Sequence, residues 1–202
     1  MDKFCIKTKE EIEIMEECGK KLSGIKKALF ERVAEGVSAY DIEVLAEELI
    51  KKEGAEASFK KVPGYSWATC VNVNSGLVHG IPKKEVVFKK GDVVSVDLGL
   101  FYQGFNTDCA FSKGINLAVE VEKFLEAGRK ALVKAIDQVV VGNRIYDISE
   151  AIEKTIVSSG YSPVRALVGH GIGRELHEDP PVPCFVPGPK EESPKIVEGT
   201  PL

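Results

Sequence analysis

The chain has 202 residues, of which 44% are hydrophobic and 29% are charged, and its formal net charge at pH 7 is −4. These values are typical of a soluble globular protein with one domain, and no segment approaches the roughly 18 unbroken apolar residues of a membrane span. Because Lys and Arg are interleaved with Asp and Glu, no basic stripe exists to follow a phosphate backbone. We therefore expect neither nucleic-acid specificity nor a membrane partner.

The cysteines and the start of the chain indicate a reducing compartment. The five cysteines are odd in number and scattered without a CxxC pair, which argues against a disulfide framework. Residues 1–4 lead directly into charged helical sequence and lack the apolar segment of a secretory signal. We therefore expect a cytoplasmic protein.

Two helices are predicted near the beginning of the chain. Thr8 and Glu11 form a capping box, and apolar residues then recur at helical spacing as far as Gly36. A second helix, capped by Ser38, ends at Gly54, the residue type usually found just past a helix end. The predicted buried stripes are Cys18, Leu22, Ile25, Leu29 and Val33 in the first helix, and Ile42, Leu45 and Leu49 in the second.

The rest of the chain changes from strand to helix patterns and back. A period of two predicts strands over residues 68–73, 93–100 and 105–112. Helical spacing then returns in two further segments, and a short strand is predicted over 164–168. The apolar stripes of these helices are Val121, Leu125, Leu132, Ile136 and Val139, followed by Ile148, Ile152 and Ile156.

The second and fourth helices resemble each other when one is shifted by 106 residues. Gly36, Tyr40, Asp41, Ile42, Glu47, Ile50 and Gly54 then fall on Gly142, Tyr146, Asp147, Ile148, Glu153, Ile156 and Gly160. Two amphipathic helices can also resemble each other merely because both are capped and buried in the same way. We favour duplication, which implies two related hairpins with helices on one face of the sheet and the other face available for a site.

Two aspartates lie on neighbouring strands of the predicted hairpin. If its turn is Tyr102-Gln103, Asp97 lies directly opposite Asp108, with Cβ atoms roughly 5 Å apart on one face. A turn at Gln103-Gly104 makes them diagonal neighbours on that face, whereas a loop of odd length separates them.

Such a pair of carboxylates indicates a bound cation. Two neighbouring negative charges repel each other, and either a shared proton or a cation relieves the repulsion. A lone Asp would more often lie at a solvated strand end or hydrogen-bond a turn. The cation is the simpler solution for a pair, and carboxylate oxygens suit Mn, Fe(II), Co or Mg.

A second cluster, Gly169-His170-Gly171-Ile172-Gly173, continues to His177 and Glu178. Its glycines permit a close approach of the backbone to a bound group, but their GxGxG spacing is not that of a dinucleotide fingerprint. A solitary histidine is more often structural than a ligand. Here His79, His170 and His177 all lie beside glycine or in this cluster, which favours a site.

These motifs together resemble one peptidase family over essentially the whole chain. They are Cys70 to Asn74 leading to His79-Gly80-Ile81-Pro82, Asp97-Leu98-Gly99 with Thr107-Asp108, and Gly169 to Glu178. The chain is similar to the bacterial, type I methionine aminopeptidases, in the group that also includes aminopeptidase P, prolidase and creatinase. The resemblance implies the α+β pita-bread fold of that group and removal of the N-terminal methionine from nascent polypeptides.

The resemblance also implies roles for individual residues. The matched metal ligands are Asp97, Asp108 and His170. They would serve two divalent ions, among Co, Mn, Fe(II) and Zn, that activate a water for attack on the first peptide carbonyl. The matched catalytic and substrate-binding histidines are His79, near the leaving nitrogen, and His177, near the tetrahedral intermediate. The matched pocket positions for the methionine side chain are Tyr65 and Cys70.

Two glutamate ligands of that family are not matched. In the family they lie on strands that follow a Gly-led turn, which here is Glu198-Gly199-Thr200, and the sequence ends at Leu202. The repeat agrees, because residues 90–93 correspond to 198–201 if the loop holds a two-residue insertion. We therefore expect a single metallopeptidase domain over residues 1–202 that is truncated before its last strands, and we leave its activity as a separate chain open.

Two other functions remain as alternatives. One is an X-Pro-type peptidase with the same fold, against which the Cys70 to Asn74 stretch and the lack of a large N-terminal domain argue. The other is an inactive fragment or a non-catalytic binding module. Every ligand that the covered region could supply is present, which disfavours the binding module and leaves the inactive fragment open. We expect a monomer, with the ribosome as a further candidate partner.

Overall fold

The computed structural model describes residues 5–202, so residues 1–4, on which the argument against a secretory signal depends, lie outside the described part. The chain divides into two compact units. The first unit comprises residues 10–118, and the described residues of the second are 5–9 and 119–202. Among residues 5–202, no helix combines the length and apolarity needed to cross a membrane.

The first unit contains two helices followed by an antiparallel sheet. The helices are α1 (Lys9–Arg32) and α2 (Ala39–Lys52), and the strands are β1 (Glu56–Ala57), β2 (Thr69–Val73), β3 (Val93–Tyr102) and β4 (Phe105–Gly114). The long strand β3 pairs with β1, β2 and β4. A short 3₁₀ helix, Ser58–Lys61, follows β1.

One face of this sheet packs on the helices. Alternate residues of β3 point to that face because side chains of a strand alternate in direction. They are fully buried with the apolar stripe of α1 in one core cluster that comprises Val94, Val96, Leu98, Leu100, Cys18, Leu22, Ile25 and Leu29. The other face of β3 carries Asp97, as the predicted period of two requires.

The buried stripe of α2 differs from the predicted one. Ile42 is fully buried as expected, but Leu45 and Leu49 are only partly buried at the edge of the core. The centre is filled instead by Ala39, Ala46 and Ile50, together with the carboxylate side chain of Glu43. The predicted cap is present, because Ser38 and Asp41 exchange backbone and side-chain hydrogen bonds.

The second unit contains two helices and a two-stranded sheet. They are α3 (Val119–Ile136), α4 (Ile145–Ser158), β5 (Val168–Gly171) and β6 (Glu178–Pro183), and a 3₁₀ helix follows at Lys190–Glu192. The predicted strand over 164–168 therefore begins at its last residue and continues through His170. Its pairing with β6, which matches His170 with Pro181, extends it beyond the apolar run.

The predicted stripe of α3 is wrong at its C-terminal end. Leu132, Ile136 and Val139 are exposed, at 61%, 60% and 44%, whereas Val121 and Leu125 are half-buried. The buried residues are the alanines Ala127, Ala131 and Ala135. Because α3 packs against α4, small residues at the contact allow the two helices to approach closely.

Hydrogen bonds show the predicted repeat in each unit. Ahead of α2, Ala39 N–H donates to Val86 O (2.8 Å), and ahead of α4, Ile145 N–H donates to Pro194 O (3.0 Å). The helical partners are 106 residues apart and the loop partners are 108 apart. The backbone also repeats its special conformations, with positive φ at Gly36 and at Gly142. The structure therefore shows the predicted repeat, with a two-residue insertion in the later loop.

Candidate metal and peptide site

The β3–β4 hairpin places Asp97 and Asp108 on one face as diagonal neighbours. Asp97 pairs with Ala110, and Asp108 pairs with Gly99. The turn is Gln103-Gly104, and both residues have positive φ (48° and 91°), which is the conformation of a two-residue type I′ turn. The alternative turn at Tyr102-Gln103, with the aspartates directly opposite each other, is therefore wrong.

Gly99 leaves room for the Asp108 side chain. A Cβ added at Gly99 would lie 3.3 Å from Asp108 Cβ, 3.1 Å from Phe59 Cε1 and 3.0 Å from Ser58 Cβ. These separations are shorter than ordinary contacts between side-chain carbons. The Asp97-Leu98-Gly99 motif thus combines a carboxylate with a position at which only glycine fits without displacing the second carboxylate.

The two carboxylates create a negative potential that raises the pKa of neighbouring thiols. Burial raises the pKa of Cys109 to about 11, Lys26 opposes this change, and Asp108 and Asp97 add to it. Burial also raises the pKa of Cys70, which lies opposite Asp97 in the ladder. Because a negative potential stabilises a cation and carboxylate oxygens are hard ligands, this pair fits divalent metal ions.

Tyr65 and Cys70 lie together beside Asp97. The Tyr65 hydroxyl donates to Thr69 O (2.7 Å) and accepts a hydrogen bond from Cys70 Sγ (3.2 Å). Burial and this bond raise the pKa of Tyr65, so its phenol stays neutral and remains a donor. The structure therefore brings both predicted pocket residues to the strand edge next to the carboxylate pair.

His79 is exposed and has a positive φ of 56°, a conformation that residues other than glycine rarely adopt. The next residue, Gly80, accepts a hydrogen bond from Val71 N–H (2.8 Å) through its carbonyl. A Cβ at Gly80 would lie 2.1 Å from Val71 O, so only glycine permits this contact. The contact fixes His79 beside β2, the strand that carries Cys70.

In the second unit His170 and His177 lie side by side. Their ring centroids are 4.4 Å apart in an edge-to-face arrangement. His170 Nδ1 is 2.9 Å from the carbonyl oxygen of Gly171, so Nδ1 carries the proton and donates. The lone pair of the neutral ring is then on Nε2, the atom through which such a histidine binds a metal.

A buried ion pair that the sequence does not reveal holds the segment after His177. Lys7 Nζ lies 2.5 Å from Glu178 Oε2, and the two side chains are 0% and 6% exposed. A Cβ at Gly173 would collide with Lys7, at 2.2 Å from its Cε, which explains the last glycine of the cluster. Nothing in the spacing of Lys7 distinguishes it from a surface lysine, so the sequence alone gives no sign of the pair.

The predicted site residues fall into two groups, one in each unit. The first unit brings together Asp97, Asp108, Tyr65, Cys70 and His79, and the second brings together His170 and His177. Within residues 5–202, no group of three or more His, Cys, Asp or Glu side chains is arranged to hold a metal ion. The ligand roles of Asp97, Asp108 and His170, and the catalytic or pocket roles of the other four residues, therefore stay predictions.

Comparison with known proteins identifies the family of the chain. Residues 13–200 match metallopeptidase family M24. The chain belongs to this family. Because the family consists of metallopeptidases, it implies divalent metal cofactors. The predicted α+β pita-bread fold is confirmed.

Relatives within family M24 agree with the predicted resemblance. The chain is 38% identical to a methionine aminopeptidase of Clostridium perfringens over 195 residues, which are 96% of this chain and 77% of the relative. It is 37% identical to methionine aminopeptidase 1 of Bacillus subtilis over 194 residues, with the same coverage. The crystal structure of a methionine aminopeptidase from Thermotoga maritima matches with a TM-score of 0.93 and 39% identity, over 98% of this chain and 79% of that one.

Proposed function

We propose that this member of family M24 is an aminopeptidase that removes the N-terminal methionine of nascent polypeptides. The observation that carries the proposal is the carboxylate pair of Asp97 and Asp108 on one face of the β3–β4 hairpin. Its support is the identity with methionine aminopeptidases over nearly the whole chain. We further propose that both units belong to one metallopeptidase domain, because the family match covers residues 13–200.

Asp97, Asp108 and His170 are the proposed metal ligands. The aspartates offer the carboxylate oxygens, and His170 offers Nε2, since its Nδ1 donates to Gly171 O. Two divalent ions among Co, Mn, Fe(II) and Zn are the proposed cofactors, and when bound they would supply an activated water for peptide hydrolysis.

The remaining site residues act on the peptide. His79, an exposed imidazole held beside β2, is proposed to assist proton delivery to the leaving nitrogen. His177 is proposed to hydrogen-bond the peptide and stabilise the tetrahedral intermediate. Tyr65 and Cys70, joined by their hydrogen bond, would form part of the wall of the methionine pocket. Cytoplasmic location, a monomeric state and contact with the ribosome are also proposals.

Replacement of one carboxylate tests the metal assignment. Asp108→Ala should abolish release of methionine from a Met-Ala peptide assayed with Co, Mn or Fe(II), because the pair loses half of its negative charge. Asp137→Ala, at an exposed position in the segment after α3, is the control and should keep wild-type activity. Undiminished activity of Asp108→Ala would rule out its role as a ligand.

A comparison of substrates separates the alternatives. The wild-type protein should release methionine from Met-Ala peptides and leave Ala-Pro peptides intact, whereas an X-Pro-type peptidase would show the opposite preference. A non-catalytic binding module would cleave neither, whatever the metal supplied.

A further inference from the structure

Glu43 is a buried carboxylate in the centre of α2, on the side that packs against the sheet. Glu43 is only 2% exposed. Its Oε1 accepts a hydrogen bond from Ala68 N–H (2.6 Å), and its Oε2 accepts from both the backbone N–H (2.9 Å) and the hydroxyl (2.6 Å) of Thr69. A carboxylate accepts with both oxygens, whereas an amide would place a donor against one of these donors. Glu43 thus fixes the residues at which β2 begins.

Thr69 transmits this constraint to Tyr65 and Cys70. Its carbonyl oxygen accepts from the Tyr65 hydroxyl (2.7 Å), and that hydroxyl accepts from Cys70 Sγ (3.2 Å). Hydrogen bonds therefore run without interruption from Glu43 through Thr69 to both residues. The series ends at Cys70, which is the cross-strand partner of Asp97.

Glu43 does not reach the carboxylate pair itself. Its bonds end on the backbone and hydroxyl of residues 68 and 69, and the only members of the series beside the predicted site are Tyr65 and Cys70. A displacement of Thr69 would move the Tyr65 hydroxyl because the two are directly bonded. The β3–β4 pairing, which positions Asp97 and Asp108, is formed by backbone hydrogen bonds between those two strands and would not change.

We propose that Glu43 is a positioning residue that sets the shape of the methionine pocket by holding Tyr65 and Cys70 in place through Thr69. The inference rests on the proposed function, which gives Tyr65 and Cys70 their contact with the substrate. It assigns Glu43 an effect on binding of the methionine side chain and no part in the chemical step.

The test is steady-state kinetics of methionine release by the metal-loaded protein. Glu43→Gln should raise KM for a Met-Ala peptide about tenfold and change kcat by less than about threefold, because binding of the side chain is weakened equally in ground state and transition state. Glu47→Gln is the matched control. It lies one turn further along α2, its side chain is 45% exposed, and both constants should stay at wild-type values.

A pair of substitutions at Thr69 keeps the test valid if Glu43→Gln does not fold. Thr69→Val removes the hydroxyl that donates to Glu43 and keeps the branched shape, so KM should rise severalfold. Thr69→Ser restores the donor and should return KM toward the wild-type value. This rescue by the conservative variant is not expected if Thr69 only fills space.

Thermal unfolding of each variant, measured beside its kinetics, separates a structural role of Glu43 from a positioning role. A variant that is destabilised but keeps the wild-type KM would show that Glu43 is merely structural and would overturn the inference. A fall in kcat at constant KM would also overturn it, because the effect would then lie on the chemical step. If the full-length wild-type protein releases no methionine, the proposed function fails and this inference fails with it.

Discussion

Each unit buries one glutamate beside a segment that carries candidate site residues, and the two glutamates are held by different means. In the first unit Glu43 receives hydrogen bonds from Ala68 and Thr69. In the second unit Glu178, the residue after His177, forms an ion pair with Lys7. Both fix the start of a strand, since Glu178 begins β6 and Thr69 begins β2.

The net pKa shifts of the two carboxyl groups are opposite in direction. Burial raises the pKa of Glu43, and the bonds from Thr69 and Ala68 only reduce that rise. Burial also opposes ionisation of Glu178, but the hydrogen bond and charge of Lys7, with the backbone N–H of Glu175, outweigh it and lower the pKa of Glu178. Glu43, which receives hydrogen bonds from neutral donors only, thus has a raised pKa, whereas Glu178, which also has a cation beside it, has a lowered one.

The largest effect on stability is expected when the ion pair loses its cation. Lys7→Met should reduce the free energy of unfolding by about 4 kcal/mol, because Glu178 is left buried without its charge partner. Urea denaturation measures the change. The double variant with Glu178→Gln should recover part of the loss, and a loss below about 1 kcal/mol in the single variant would show that the pair is not buried in solution.

A smaller loss is expected when Glu43 is truncated. Glu43→Ala leaves three donors of Ala68 and Thr69 without their acceptor, which should cost about 3 kcal/mol by the same measurement. Glu47→Ala, at an exposed position of the same helix, should change stability by less than about 0.5 kcal/mol. Equal effects of the two substitutions would contradict the hydrogen bonds of Glu43.

The two glutamates should contribute to stability with opposite dependence on pH. The folded pKa of Glu43 lies above its ordinary value of 4.5, so between those two values the folded state holds a proton that the unfolded chain releases. Stability therefore falls as pH rises through this range, and Glu43→Gln should remove the fall.

For Glu178 the sign is reversed. Its folded pKa lies below 4.5, so its contribution is complete above that value and is lost as pH falls through the folded pKa. Glu178→Gln should remove this loss on acidification. Denaturation midpoints measured from acid to neutral pH for both variants provide the check, and parallel curves for the two would contradict the comparison.

The smallest effect is expected at the residue that corresponds to Glu43 in the repeat. The shift of 106 residues places Ser149 of α4 at that position, and its fully buried hydroxyl has no hydrogen-bond partner in the described structure. Ser149→Ala should be neutral or stabilising by less than about 1 kcal/mol, since a buried polar group without a partner is removed.

Thr155 is the control for Ser149 because it is also buried in α4 but its hydroxyl donates to Ala151 O (2.7 Å). Thr155→Ala should cost about 1 kcal/mol. If Ser149→Ala were the more harmful of the two substitutions, the hydroxyl of Ser149 would have a partner in solution.

Local patterns predicted the elements of the fold more successfully than their buried faces. The spacing of apolar residues correctly located α1, α2, β2, β3 and β4, because each of these buries a regular stripe or alternates in the sheet. It did not find the alanine face of α3, because alanine is only weakly hydrophobic and Leu132 and Ile136 dominate the helical pattern. The start of β5 was missed because pairing with β6, a contact distant in sequence, determines it.

The candidate site was predictable where residue chemistry and strand period agree. Counting along the hairpin placed Asp97 and Asp108 on one face, but only the backbone conformation of Gln103 decided between the two registers that do so. Glu43 and Lys7 were missed because a glutamate or lysine in a helical or terminal segment is normally a solvated residue. Their burial follows from long-range packing, for which the sequence carries no local signal.

The two-residue turn at Gln103-Gly104 has a consequence for natural variation in the hairpin. Loop tips are usually the parts of a protein that best tolerate insertions and deletions. Here a single inserted residue is compatible with the carboxylate pair if the loop lengthens to three residues, because only a one-residue slip of β4 against β3 would turn Asp108 to the other face. Homologous hairpins that retain the carboxylate pair should therefore keep the first aspartate opposite the residue two places after the second, as Asp97 lies opposite Ala110 here, whatever the length of the loop.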